Sequence, residues 1–308
     1  MHTPVLLKEV VAYLQPAAGK KIIDATFGGG GHAKALAENG AEILGIDRDP
    51  EVVERIENFE SRINAVQGDF RNLKEIAKKN DFLQVDGILF DLGMGSHQLD
   101  DAKRGFAFQK EGPLDMRFDQ TKGKTAGELI NFYPEKDIVE IFQKYGEERR
   151  FAKKIARAIL EKRKIGEIKT TTELFEIIKA ALPGNIRFRA GDAARKIFQA
   201  LRISVNKELS GIEDALPQAL EILKQNGRIA VISFHSLEDR IVKRFFVEQA
   251  KNCICPLEFP VCRCMAKALL RILTKKPIIA DDLEIKENPR AKSAKMRVAE
   301  KIWEDSSR

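Results

Sequence analysis

Asp24, Asp47, Asp69 and Asp91 each close a short apolar run, and they stand 23, 22 and 22 residues apart. The runs are KKIIDA (20 to 25), AEILGID (41 to 47), INAVQGD (63 to 69) and VDGILFD (85 to 91), with helix-like segments between them. A carboxylate accepts hydrogen bonds from hydroxyls and amines and balances positive charge. A single strand-end aspartate is commonly a cap or turn residue, whereas four in step point to a shared ligand site. Repeated strand and helix units of this length specify a parallel sheet, and such sheets bind ligands outside the carboxyl ends of their strands.

DATFGGGGHAKALAENG places Gly28 to Gly31 between the first strand and its helix, where backbone N–H groups can approach a ligand. Gly28, Gly30 and Ala33 fit the dinucleotide pattern G-x-G-x-x-A, and Asp47 stands near the place of the ribose-binding acid, so an NAD(P)-dependent oxidoreductase is one reading. A pyrophosphate, however, gains nothing from Asp24, Asp69 or Asp91. S-adenosylmethionine carries a sulfonium, an ammonium, a ribose diol and an adenine amine, each of which a carboxylate complements. On this reading Asp47 holds the ribose hydroxyls, Asp69 with Phe70 borders the adenine, and Asp24 and Asp91 lie near the methionine moiety. His32, on the first turn of the helix, reads by itself as a packing or capping residue.

The elements that must position these groups follow from the apolar pattern. Thr3 and Pro4 open a first helix that stops before Pro16. Four strand and helix units then occupy residues up to about 100, with a helix ending at Asn39-Gly40 and another opening at Asp49-Pro50. From about 103 to 210 strand-like runs vanish and amphipathic helices follow one another over 125–132, 135–145, 149–164, 171–182 and 192–209. A helix over 212–227, ended by Gly227, leads into the buried strand RIAVISF (228 to 234), so the sheet resumes after a helical insertion. HSLEDRIVKRFFVEQ (235 to 249) is a helix with Ser236 and Asp239 in capping-box spacing, and strands close the chain in LRILTKKP and SAKMRVAEKI. The fold class expected is α/β, a Rossmann-like sheet carrying an inserted all-helical domain. Its parts are 1–105, 106–208 and 209–308.

With 308 residues and 44% apolar residues the chain can bury a large core, and its net charge of +7 suits a polyanionic partner. Lys8 and Glu9 interrupt the N-terminal apolar stretch too early for a signal peptide, and no run approaches the ~18 residues of a membrane span, so the chain reads as cytoplasmic with no membrane partner.

Several long strings resemble one family. HTPVLLKEV (2 to 10), DATFGGGGH (24 to 32), GIDRDP (45 to 50), DGILFDLGMGSHQLDDAKRGFAF (86 to 108), GPLDMR (112 to 117), YGEER (145 to 149), FQALRISVNKEL (198 to 209), ISFHSLEDRIVKRFF (232 to 246) and ENPRAKSAKMRVAE (287 to 300) are similar to the bacterial 16S rRNA cytosine-N4-methyltransferases. The resemblance implies S-adenosylmethionine-dependent methylation of the exocyclic amine of a decoding-centre cytidine in 16S rRNA or the small ribosomal subunit. It also implies donor contacts at Gly30, Gly31, His32, Asp47, Phe70, Asp91 and Gln98. Two departures stand out. Gly95 replaces the first Ser of the family's DLGxSSxQL stretch, and RAGDAARKIFQAL (189 to 201) lacks the usual Pro-Ala-Thr-Arg lead-in. A non-catalytic RNA-binding assembly factor is a third reading, and no protein partner is inferred.

Transfer to an amine needs in-line approach and a polar acceptor for the amine proton, but no covalent intermediate. Asp91 is the expected catalytic residue, orienting donor and amine. RRFAKKIARAILEKRK (149 to 164) sets Arg150, Lys153, Lys154 and Arg157 on one helical face, with Phe151, Ile155 and Ile159 on another, so its basic side can track phosphates. Arg187, Arg189, Arg195 and Lys196 form a second basic cluster. His235, just past the fifth strand, is a candidate for the substrate side, with helix entry as the competing role. Cys253-x-Cys255 and Cys262-x-Cys264 leave open a four-thiolate zinc site or reduced thiols in a loop, and no metal is assigned.

Overall fold

A computed structural model describes residues 4–50, 61–95, 99, 101–253, 255, 263–264 and 266–302. Of the helix expected to open at Asp49-Pro50, residues 51–60 lie outside the described residues, as do Gln98 and Cys262.

The chain divides into two compact units, Met1–Gly93 with Leu209–Arg308, and Met94–Glu208. The first opens with helix α1 (Leu7–Leu14), strand β1 (Lys21–Asp24), helix α2 (Gly31–Glu38), strands β2 (Glu42–Asp47) and β3 (Ile63–Gln67), helix α3 (Leu73–Lys79) and strand β4 (Val85–Asp91). The second contains α4 (Ala126–Phe132), α5 (Glu135–Lys144), α6 (Ala152–Ile165), α7 (Thr171–Ala181) and α8 (Ala190–Asn206). After α9 (Glu208–Ile222) the chain completes the first unit with β5 (Leu223–Ser233), α10 (Ser236–Gln249), β6 (Leu270–Ile272), α11 (Asp282–Glu287) and β7 (Lys295–Lys301).

The seven strands form one sheet in the order β3-β2-β1-β4-β5-β7-β6, parallel except that β7 runs antiparallel to both its neighbours. The order reverses between β1 and β4, and a crevice at that switch point is where such sheets bind ligands. Alternate strand residues enter opposite layers: Ile23, Leu44 and Ile88 pack on one face, and Ile22, Ile43 and Leu89 on the other. Burial on both faces is why these strands read as continuous apolar runs rather than alternating ones. A separate core, built from residues such as Phe142, Ile155, Ile159, Ile178 and Phe198, holds the helical unit together.

Several boundaries differ from the sequence expectation, each for a local reason. Residues 4–6 do not begin α1; Leu6 takes a left-handed φ of 54° at its N-cap and donates its N–H to Glu284 Oε1 at 2.7 Å. Helix α6 starts at Ala152, because the buried Glu148 carboxylate accepts the N–H groups of Arg150 (3.1 Å) and Phe151 (3.0 Å). Arg150 therefore precedes the helical face it was expected to share. Helix α9 ends at Ile222 rather than 227, since Leu223 already pairs with Val85 before the register shifts to Gly87 and Arg228. The helical unit begins at Met94 rather than 106. The turn Ala102–Arg104 bonds forward into that unit, with Met116 N–H donating to Arg104 O at 3.0 Å and the Arg104 guanidinium to Phe118 O at 2.7 Å.

Candidate functional site at the sheet switch point

Strand β1 ends at Asp24, whose parallel neighbours are Gly45 of β2 and Leu89 of β4. The chain then leaves the sheet but stays tied to both strands. Ala25 N–H donates to Leu89 O and Phe27 N–H to Ile46 O, both at 2.9 Å, and the Thr26 hydroxyl accepts Asp91 N–H at 2.6 Å. Gly28 and Gly30 follow with φ of 51° and 72°, a backbone that side chains strain. Gly31 opens α2 with no room for a Cβ, because the Pro4 ring lies against it. The turn is thus held on one side by the N-terminal segment, while at Gly29 an added Cβ would meet nothing within 4 Å.

Asp47, at the end of β2, accepts Gly28 N–H on Oδ2 (2.8 Å) and Asp49 N–H on Oδ1 (2.9 Å). Both carboxylate oxygens thus anchor the turn, and a carboxylate at this place is of the type that complements ribose hydroxyls. Asp24 is 1% exposed. Burial raises its pKa to about 7 against the lowering effect of His32 and of Thr26 N–H, and Asp91 and Asp47 raise it further. Burial likewise lowers the pKa of His32, against the opposite pull of Asp24 and the Val5 carbonyl, which favours a neutral ring. His32 Nε2 lies 2.9 Å from Val5 O, which assigns its proton there, and leaves Nδ1 facing Asp91 Oδ2 at 3.6 Å. Three carboxyl groups and one neutral imidazole therefore share the crevice. Their mutual repulsion falls when a cation enters or a proton is retained.

Asp69 plays a different part from its three partners. It lies two residues beyond the end of β3 and caps the short turn Phe70–Asn72, accepting Arg71 N–H at 2.9 Å. The Arg71 guanidinium donates to Asp69 Oδ2 through Nε (2.8 Å), and Arg48 Nε approaches the same oxygen at 3.1 Å. Burial alone would raise its pKa, but the two arginines outweigh it and hold the carboxyl below its usual range. Phe70 meets Phe90 edge-on at 5.9 Å and carries the Arg48 guanidinium 4.8 Å over its ring. The β3 side of the crevice is consequently an aromatic and arginine surface rather than a fourth carboxylate. Arg48 follows Asp47 in GIDRDP, yet nothing in the spacing of aspartates singles it out.

The crevice brings together Gly30, Gly31, His32, Asp47 and Asp91, with Phe70 one strand outward. His235 is the N-cap of α10: its Nδ1 accepts Glu238 N–H at 3.4 Å while Glu238 Oε2 accepts the N–H of Phe234 at 2.8 Å. The capping pair is therefore His235 and Glu238, one residue earlier than Ser236 and Asp239. Asp239 instead holds the buried Arg297 of β7 through two hydrogen bonds of 2.6 and 3.1 Å, which joins two of the strings read from the sequence.

Within the helical unit Lys153 and Arg157 line a surface groove together with Lys136, Lys144 and Arg149, against the acids Glu135 and Glu140. Arg157 is paired to Glu135 at 3.1 Å. Lys154 is exposed on α6, and Arg150 stacks its guanidinium 4.9 Å from the Phe151 ring and lines a different hollow with Arg189 and Lys196. Glu148, which accepts from Lys196 Nζ at 3.2 Å, organises that second region. A buried acid inside YGEER was its only sequence trace.

The model of a family described as the MraW methylase family matches residues 1–302. A "Ribosomal RNA small subunit methyltransferase H" from Heliobacterium mobile is 47% identical over 312 residues, covering 98% of this chain and 99% of that protein. A protein of the same name from Carboxydothermus hydrogenoformans is 45% identical over 306 residues, covering 98% of each.

The raised pKa of Asp24 carries a stability consequence. Between the unfolded value of 3.8 and about 7 the folded chain binds the proton more tightly, so stability falls as pH rises through that window. Asp24→Asn should therefore raise the melting temperature of the ligand-free chain most above about pH 7, with the gain shrinking as pH falls toward about 4. Thermal melts across that range check it. A gain independent of pH would mean that Asp24 ionises as an ordinary carboxylate.

Proposed function

The chain belongs to the MraW methylase family, and from that premise we propose that it methylates the exocyclic N4 amine of a decoding-centre cytidine in small-subunit rRNA, with S-adenosylmethionine as donor. The observation that carries the reading is the convergence of Asp24, Asp47 and Asp91 on a glycine turn. A pyrophosphate would meet repulsion there, which disfavours a dinucleotide. A sulfonium and an ammonium would relieve it. The open side of Gly29 and the Asp47 carboxylate beside the turn fit the ribose end of such a donor, whose hydroxyls a carboxylate complements. The donor, when bound, supplies an electrophilic methyl group.

The protein's own groups have three tasks. Gly30, Gly31 and Asp47 fix the donor, with Phe70 and Arg48 beside its base and His32 behind its amino-acid end. Asp91, held by the Thr26 hydroxyl, accepts a hydrogen bond from the target amine and so turns the nitrogen toward the methyl carbon. As that nitrogen becomes cationic, Asp91 takes its proton, and the Nδ1 lone pair of His32 at 3.6 Å stabilises the protonated carboxyl. Gln98 is a donor contact by motif position alone. The cytosine must leave its stack to reach this crevice. Ring-carbon methylation would need a cysteine nucleophile, but the chain's four cysteines all lie between 253 and 264. RNA is held by phosphate contacts, for which Lys153, Lys154, Arg157 and Arg150 are the first candidates. His235 serves the substrate side only by capping α10.

With immature small subunits and labelled donor, the wild-type chain should place label in N4-methylcytidine. Asp91→Asn at saturating donor should slow single-turnover transfer by roughly 10²-fold or more. Retention of near-normal transfer would remove Asp91 from the chemistry, and label in 5-methylcytidine would overturn the amine assignment.

Charge reversal of Lys153, Lys154 and Arg157 together should weaken binding to small-subunit rRNA and reduce the slope of log affinity against log salt by about two to three. Donor affinity should stay unchanged. An unaltered salt slope would move the RNA platform elsewhere.

A further inference from the structure

Between α10 and β6 the chain makes an excursion over 250–268 whose two ends are clamped together. Leu269 N–H donates to Gln249 O at 2.8 Å, and Ala268 N–H to the Asn252 side chain at 3.2 Å. Among its described residues none is buried, so no apolar core accounts for its shape. What converges instead is sulfur. The Sγ atoms of Cys253, Cys255 and Cys264 all lie within 4.8 Å of one another, with Cys253 and Cys264 3.8 Å apart.

That spacing discriminates between chemistries. A disulfide would hold two sulfurs at about 2.05 Å. Thiolates on a tetrahedral zinc ion, each about 2.3 Å from the metal, stand about 3.8 Å from one another by geometry. Arg263 N–H also donates to Cys255 Sγ at 3.3 Å, the kind of backbone hydrogen bond that favours a thiolate over a thiol. Lys251, Arg263 and Lys267 lie within three residues of these cysteines in the sequence, a basic setting that suits several thiolates on one divalent ion. We propose that Cys253, Cys255 and Cys264 bind a zinc ion that staples the excursion. These three thiolates are the ligands that the described residues supply to a tetrahedral site. As each Zn–S bond forms, its cysteine releases one proton to solvent, and no electrons move. The role is structural, since a segment whose described residues are all at least partly exposed gains its hold from the metal.

The full-length chain, prepared without chelator and with zinc in the growth medium, should carry about one zinc per molecule by elemental analysis. Cys253→Ser and Cys264→Ser should each lower that content severalfold. Because a serine variant can misfold, the wild-type chain supplies a second reading: a thiol-specific mercurial should release the zinc. Chelation should then open 250–268 to protease while S-adenosylhomocysteine binding persists. Cobalt-loaded protein should show thiolate-to-metal charge transfer and tetrahedral ligand-field bands. The proposal is overturned by zinc far below one equivalent even after zinc addition, by iron with acid-labile sulfide, or by recovery of these cysteines as a disulfide in freshly prepared protein.

Discussion

The crevice at the end of β1 sets carboxyl groups together where water cannot fully screen them. Asp24 is almost inaccessible, and Asp47, Asp91 and a neutral His32 are its electrostatic neighbours. Repulsion of this kind costs folding free energy and is retained only where something else uses it. A cationic ligand converts that cost into affinity, because ionised carboxylates repel one another less once a positive charge lies between them. The same logic explains why Asp69, two residues past β3, does not add to the repulsion: Arg48 and Arg71 already neutralise it.

Most of the surrounding architecture serves to hold those groups at fixed positions. Parallel register aligns Asp24 with Gly45 and Leu89, and the chain beyond β1 is pinned to β2 by Phe27 and to β4 by Thr26. The N-terminal segment closes the turn from outside. Pro4 packs on Gly31, Val5 O holds His32 Nε2, and Leu6 is held by Glu284 near the other end of the chain. Among the described residues no helix is long and apolar enough to cross a membrane. The helical unit has its own core and its own capping boxes at Thr125 with Glu128 and Thr170 with Glu173, so it is organised independently of the sheet.

The sequence made the sheet legible because burial on both faces leaves strands as unbroken apolar runs, and the recurring aspartates marked their ends. The inserted helices were equally legible, since their apolar residues recur at helical spacing and sharp residue changes bound them. What the spacing could not convey was how a backbone group or a side chain would be spent. Thr3-Pro4 has the form of a helix start, but residues 4–6 are taken up in closing the glycine turn. Asp69 has the form of a fourth site carboxylate, but Arg71, two residues on in the turn it caps, and Arg48, which folding brings to it, neutralise it. Asp24 carries no motif that separates it from any other strand-end aspartate; its significance lies in its burial beside His32, a tertiary fact. Arg48 and Glu148 were missed for the same reason, because each acts through neighbours that only folding supplies.

The chemistry proposed for this chain turns on the donor occupying the carboxylate crevice at the β1 and β4 switch point. A crystal structure of the full chain with S-adenosylhomocysteine bound tests it most directly. One ligand should lie over Gly28–Gly30, its ribose hydroxyls on the Asp47 carboxylate and its ammonium toward Asp24 and Asp91. A ligand seated away from the glycine turn, or one that touches the turn without engaging Asp47, would contradict it.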